Sequence, residues 1–231
     1  MTEPMHSSKG AWSETLEIYE PALKDSLQFI RPGKNWTVAS VGLGLGYNEI
    51  LAAGMSLRHG YEPSQVSIVS FESRQELTEA FKSYFQNSTP ASSPNQIAPV
   101  YDDILIRTAR FFNLDQRHLQ DFICKLVHEQ RLDFRQEITI DLLRTAVPDL
   151  KVCDCLLFDA FSPSSSPDLW NPELLQLMVE TLAGPECIFV SYASRTVLKK
   201  VLKENGFRLQ KKAGFAGKRE ATFAVRLKTE N

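Results

Sequence analysis

Three glycines at alternate positions, Gly42, Gly44 and Gly46, and three acidic residues that follow apolar runs, Glu72, Asp141 and Asp159, have the types and spacing to do chemistry. A glycine-rich loop that leaves a buried strand and opens a helix lets backbone N–H groups approach a ligand where a Cβ would clash. The G-x-G-x-G spacing differs from the dinucleotide fingerprint G-x-G-x-x-G, whose last glycine serves packing over a pyrophosphate. It leans towards a ligand without a pyrophosphate, such as S-adenosylmethionine. The bland alternative is a turn that only connects two elements.

Ligands of open α/β sheets bind beyond the carboxyl ends of the strands, so acidic residues that end successive strands converge on one crevice. Glu72 lies 26 residues beyond Gly46, near the roughly 20-residue offset at which an acid reaches ribose hydroxyls. Its alternative is a helix cap. Asp141 follows Ile138-Thr139-Ile140 and is suited either to an adenine amine or to capping the helix that begins near Leu142. Asp159 closes the run Cys153–Phe158 and precedes a proline-punctuated loop, a setting that favours function over a structural cap.

The elements that must position these residues alternate between strand and helix after residue 36, which predicts a mainly parallel α/β sheet. Strands are expected at Thr37–Val41, Val66–Phe71, Ile138–Ile140, Cys153–Phe158 and Cys187–Tyr192, with helices at Tyr47–His59, Glu76–Phe85 and Arg195–Glu204. Asn205-Gly206 suits a left-handed helix end. Phe207–Gln210 and Ala221–Leu227 form a candidate antiparallel C-terminal hairpin. Residues 87–99 are rich in proline and serine, and 100–132 repeat apolar residues at three- and four-residue steps, so about 87–135 reads as a loop and helical insertion. No internal repeat is visible.

At 231 residues and 43% hydrophobic content, the chain can bury the core of one domain. A formal charge of −2 argues against a protein that coats nucleic acid, although basic residues crowd positions 195–219. Cys124, Cys153, Cys155 and Cys187 form no C-x-x-C pair and read as reduced and structural. His6, His59, His118 and His128 are too scattered for a zinc site, so no metal is expected. No segment approaches the roughly 20 apolar residues of a membrane helix, and no signal peptide is evident. The expected location is the cytoplasm.

Several separated motifs resemble one family. Leu156–Trp170 (LLFDAFSPSSSPDLW) is similar to the D-G-F-A-P-x-x-N-P-x-x-W signature of the MnmC family, called MnmD where the methyltransferase stands alone. This is the methyltransferase that installs the final methyl of 5-methylaminomethyl-(2-thio)uridine at the tRNA wobble position. Gly214–Glu220 (GFAGKRE) resembles its G-F-G-x-K-R-E signature, Gly42–Asn48 (GLGLGYN) its G-F-G-T-G-L-N loop, and Met5–Thr15 its N-terminal element. The resemblance spans most of residues 5–227. It departs from the family pattern at Ser40, where an acidic residue stands two positions before the first glycine, and at Ile140, Ala160 and Ser166.

The resemblance implies a Rossmann-like class I S-adenosylmethionine-dependent methyltransferase, a single domain over 1–231 whose first 36 residues lie over the pocket. It implies cofactor binding by Gly42, Gly44, Gly46, Asn48, Glu72 and Asp141. Asp159 is the candidate for orienting and deprotonating the amine, with Phe161, Pro163, Lys218 and Arg219 on the substrate side. The implied partner is the anticodon stem-loop of tRNA, whose unpaired bases are already accessible. The FAD-dependent half of the bifunctional members has no counterpart among these motifs. The competing readings are a transferase acting on a small amine and a non-catalytic RNA-binding relative.

Overall fold

A computed structural model describes residues 10–86, 97–145, 152–160, 164–212 and 221–228. Four central strands, β1 (Trp36–Val41), β2 (Val66–Phe71), β4 (Cys153–Phe158) and β5 (Ala183–Ser191), are joined by β3 (Leu132–Arg135), β6 (Arg208–Lys212) and β7 (Ala221–Arg226). They form one seven-stranded sheet in the order β3-β2-β1-β4-β5-β7-β6. The first five strands in that order pair in parallel, and β7 pairs antiparallel with both β5 and β6.

Strands β1, β2 and β4 are buried at every position because both sheet faces are covered. Alternate residues feed two cores: Trp36, Val38, Val66 and Ile68 face one, and Ala39, Val41, Val69 and Phe71 the other. Helices α1 (Ala11–Ser26), α2 (Tyr47–Arg58), α3 (Gln75–Gln86), α4 (Ala98–Phe112) and α5 (Gln116–His128) contribute to the first core. The second is built with α6 (Ile140–Thr145), α7 (Pro172–Leu182) and α8 (Thr196–Glu204). Helix α8 ends at Asn205, with Gly206 at φ 78°, the left-handed end expected from that pair.

Two features anchor the start of β1, one to α1 and one to β4. Ser26 Oγ, which donates to Leu23 O at 2.7 Å, accepts the Trp36 indole N–H at 3.0 Å. Asp154 accepts the Thr37 N–H at 2.9 Å and pairs with Lys34. The first fixes the helix relative to the start of β1, and the second ties the start of β1 and the chain before it to β4.

The region 87–135 and the strand expected at Ile138–Ile140 need correction. The described part of the insertion holds α4 and α5, but it closes with an edge strand, β3. Helix α5 ends at His128, and Gln130, with a φ of 54°, turns the chain. Leu132 and Phe134 then face the first core, while Asp133 and Arg135 pair at 2.7 Å. A four-residue strand is too short to show its period above the helical pattern preceding it. Residues Ile138–Ile140 are no strand: Ile138 is buried in the second core, and Thr139 Oγ1 caps α6 by accepting the Leu142 N–H at 3.1 Å.

Candidate active site

A cavity of about 490 Å³ opens at the carboxyl ends of the parallel strands, within the size range of small-molecule sites. Its walls come from the loop after β1, from Glu72 to Arg74 after β2, from Glu137 and Ile138, from Asp159 and Ala160 after β4, and from Tyr192 after β5. Ala11, Glu14, Thr15 and Tyr19 of α1 complete it. Four of the strand ends thus supply the floor, and an N-terminal helix supplies one side.

The glycine loop is shaped by contact as well as by turning. Gly42 has φ 98°, and a Cβ there would stand 2.9 Å from the carbonyl oxygen of Asp159. This close approach follows from the ladder continuing past the strand ends: Gly42 N–H donates to Phe71 O at 2.9 Å, and Asp159 N–H to Val41 O at 2.9 Å. Gly46 has φ 75° at the start of α2, and a Cβ there would overlap the Phe81 ring. Gly46 therefore shapes the loop from behind; Gly42 and Gly44 line the cavity.

Glu72 ties the glycine loop to the start of α3. One carboxylate oxygen accepts the Gly44 N–H at 2.9 Å; the other accepts the Arg74 N–H at 2.9 Å just before α3. A carboxylate has about four acceptor positions, so two backbone bonds leave capacity facing the cavity.

Asp159 is enclosed by protein and open only towards the cavity. Its Oδ1 accepts the Tyr19 hydroxyl at 2.7 Å, and its Oδ2 accepts the Asn48 amide at 3.2 Å. Burial pushes its carboxyl up to about 6, against the two hydrogen bonds that favour the charged form, with a further upward push from Glu14. The Tyr19 phenol is driven well above its usual range, first by burial and then by the neighbouring Asp159 charge. Its proton therefore stays on the phenol, as a fixed donor. Tyr192 donates to Ala160 O at 2.8 Å and holds the backbone beyond Asp159 in place.

A second polar group lies behind the loop. Glu49 of α2 is buried, and its Oε1 accepts the Ser70 hydroxyl at 2.6 Å. Ser40, the register partner of Ser70, faces the same carboxyl without closing a hydrogen bond of ordinary geometry. Burial lifts Glu49 to about 7, opposed by the serines and assisted slightly by the Asp159 charge. An acidic side chain thus reaches Ser40 from the helix, at the position where the sequence motif itself lacks one.

Of the residues singled out in the sequence, Gly42, Gly44, Asn48, Glu72 and Asp159 meet on this cavity. Asp141 does not: it is exposed in the first turn of α6, and Glu137 and Ile138 occupy the wall instead. The displacement follows from the missing strand, since a helix starting at Ile140 carries Asp141 away from the sheet edge. Phe161, Pro163, Lys218 and Arg219 lie outside the described residues. Trp170 packs edge-on against Phe158 with ring centres 5.3 Å apart and is buried in the second core. Tyr19, Glu14, Glu137 and Tyr192 were not foreseen. Ala11, Thr15 and Tyr19 share a four-residue step, a signal for a helix face but not for what that face meets.

Among the described residues no three His, Cys, Asp or Glu side chains are grouped to hold a metal ion. No described helix is long and apolar enough to cross a membrane. All four cysteines are free thiols.

The sheet order, the reversed last strand and the cavity at the strand ends define a class I methyltransferase architecture. The chain belongs to the S-adenosyl-L-methionine-dependent methyltransferases, matching that family over residues 109–227. The likeness to MnmC read from the motifs is also what comparison returns. The tRNA 5-methylaminomethyl-2-thiouridine biosynthesis bifunctional protein MnmC of Hydrogenovibrio crunogenus is 22% identical over 206 residues, covering 87% of this chain and 28% of the relative. The protein of the same name from Idiomarina loihiensis is 27% identical over 200 residues, covering 80% and 29%. The chain thus spans under a third of the length of these relatives. The crystal structure of MNMC2 from Aquifex aeolicus superposes with a TM-score of 0.60 at 23% identity, over 99% of this chain and 67% of that one. The fold is shared with that protein.

Proposed function

We propose that this chain methylates the 5-aminomethyl group of the wobble uridine in tRNA, giving 5-methylaminomethyl-(2-thio)uridine, as a single cytoplasmic methyltransferase domain. The observation that carries the proposal is a half-buried carboxylate, Asp159, fixed by Tyr19 and Asn48 beside a glycine loop in one cavity. The names of the relatives supply the substrate class.

The cavity fits S-adenosylmethionine by its own features. Gly42 lets the loop pack against the Asp159 backbone while lining the cavity, Glu72 keeps acceptor capacity for ribose hydroxyls, and α2 starts at the cavity with Tyr47 and Asn48, a helix N-terminus that favours a carboxylate. Glu137 and Ile138, on the wall beyond Glu72, are assigned to the base. When bound, the cofactor supplies an electrophilic methyl group.

Transfer to an amine is an in-line displacement, so this chain's task is to align the reactants and free a nitrogen lone pair. Asp159 attracts the ammonium and takes one proton from it at a carboxylate oxygen. A pKa near 6 makes it a better base than an exposed aspartate while leaving it mostly ionised at neutral pH. Tyr19 holds that carboxylate in place without competing for the proton. Phe161 and Pro163, with Lys218 and Arg219 in the G-F-A-G-K-R-E segment, are assigned to the base and the phosphates of the anticodon loop.

The test is methyl transfer from labelled S-adenosylmethionine to tRNA carrying 5-aminomethyluridine, with tRNA lacking that group as control, read out by nucleoside analysis. Wild type should label only the first. Asp159→Asn should keep cofactor affinity and lose most of the transfer. Labelling of neither tRNA, or an unchanged single-turnover rate in the variant, overturns the assignment.

A further inference from the structure

Asn48 combines three features that a helix-start residue has no structural need for. It is 2% exposed yet lines the cavity, its amide N–H donates to Asp159 Oδ2 at 3.2 Å, and its amide oxygen has no partner among the described residues. The amide orientation is fixed by chemistry: a carboxylate only accepts, so the nitrogen must face Asp159 and the oxygen must point elsewhere. Leaving a buried acceptor without a donor is costly, and such groups in native proteins have an explanation.

The available explanation is a ligand N–H. Asp159 and Asn48 both line the cavity and are linked by a hydrogen bond, so a ligand amine held there lies against both, and the enclosed Asn48 oxygen meets its N–H by a small shift of the amide. Two acceptors at one nitrogen match an amine that must present two N–H bonds to the protein and its lone pair elsewhere. A single carboxylate fixes one N–H and leaves the amine free to rotate, turning its lone pair away from the line of attack.

We propose that Asn48 belongs to the acceptor site of the substrate amine, its side-chain oxygen receiving one N–H while Asp159 receives the other. The proposal rests on the amine-methylating function given above and changes the role of Asn48 from cofactor contact to catalytic residue. The ammonium first passes one proton to Asp159, leaving a neutral amine and a neutral carboxyl. The amine nitrogen then forms the N–C bond with its lone pair while the methyl–sulfur bond breaks, its electron pair staying on sulfur, which becomes a neutral thioether. The product is a secondary ammonium, and Asp159 returns its proton to water.

The same chemistry exists on the α-ammonium of S-adenosylmethionine, so the experiment must separate the two amines. Asn48→Ala and the near-isosteric Asn48→Asp are compared with wild type by single-turnover transfer to 5-aminomethyluridine tRNA across pH, and by calorimetry with S-adenosylmethionine. Asn48→Ala should lower the high-pH plateau rate by about tenfold while leaving cofactor affinity within about threefold. The plateau is decisive: loss of the amide donor alone raises the Asp159 pKa, a deficit that high pH restores, whereas a missing acceptor persists. Asn48→Asp keeps an acceptor and loses the donor. Its plateau should lie near wild type, with the acid limb moved upward by the second carboxylate, and it carries the test should the alanine variant fold poorly.

A tenfold loss of cofactor affinity with an unchanged plateau would assign Asn48 to the cofactor and overturn the proposal. So would a wild-type plateau in Asn48→Ala, or an Asn48→Asp plateau as low as the alanine variant's. Those outcomes leave the function standing, because wild type still methylates tRNA. An inactive wild type removes the function and this inference together.

Discussion

Glu49→Gln should stabilise the protein at pH 8 and do little at pH 5. The buried Glu49 carboxyl rises from the ordinary 4.5 to about 7, with burial as the main cause. A folded-state pKa above the unfolded one means that the folded chain binds the proton more tightly. Stability from this group is therefore fully present below pH 4.5 and is lost as pH rises through about 7. At about 1.4 kcal/mol per pKa unit, the rise from 4.5 to about 7 corresponds to about 3 kcal/mol of destabilisation at pH 8. Glutamine keeps the acceptor for the Ser70 hydroxyl and abolishes the buried charge, at the cost of an amide N–H left facing Ser40. The net gain at pH 8 should be about 2 kcal/mol, shrinking towards zero at pH 5. Urea denaturation of both proteins at matched pH isolates this residue, because the similar contribution of Asp159 is common to both. A variant less stable than wild type at pH 8, or an advantage that does not change with pH, would show that the Glu49 charge is compensated in the fold and would refute the reasoning.

The Asp159 carboxylate must be charged to accept a proton, so transfer should fall as pH drops through about 6. Tyr19→Phe removes a hydrogen bond that favours the charged form and should move that acid limb upward, seen in single-turnover rates against pH. Gly42→Ala forces a side chain against the Asp159 carbonyl at φ 98°; it should cost about 1–3 kcal/mol in denaturation and weaken cofactor binding in calorimetry. Replacing Lys218 and Arg219 together with alanine should weaken tRNA binding and reduce its log–log salt slope by about 1 to 2, with S-adenosylmethionine affinity unchanged; filter binding over a salt series measures the slope.

The sequence by itself determined the central parallel strands, the glycine loop and the carboxylate after Cys153–Phe158. A buried parallel strand must be mostly apolar, a close backbone approach must be glycine, and an acidic residue ending such a strand stands at the sheet's ligand edge. Each of these is a local demand, legible in a few consecutive residues. Strand β3 was hidden because four residues on an edge carry too little period. Asp141 was misplaced because an apolar triplet before an acid looks the same whether it ends a strand or enters a helix, and the core contact of Ile138 settles which. Only the tertiary structure brought Tyr19 across 140 residues of chain to Asp159 and placed Glu49 beneath Ser40. Those pairings depend on how α1 and α2 pack over the sheet, and packing is set by the summed fit of two cores rather than by residue spacing along the chain.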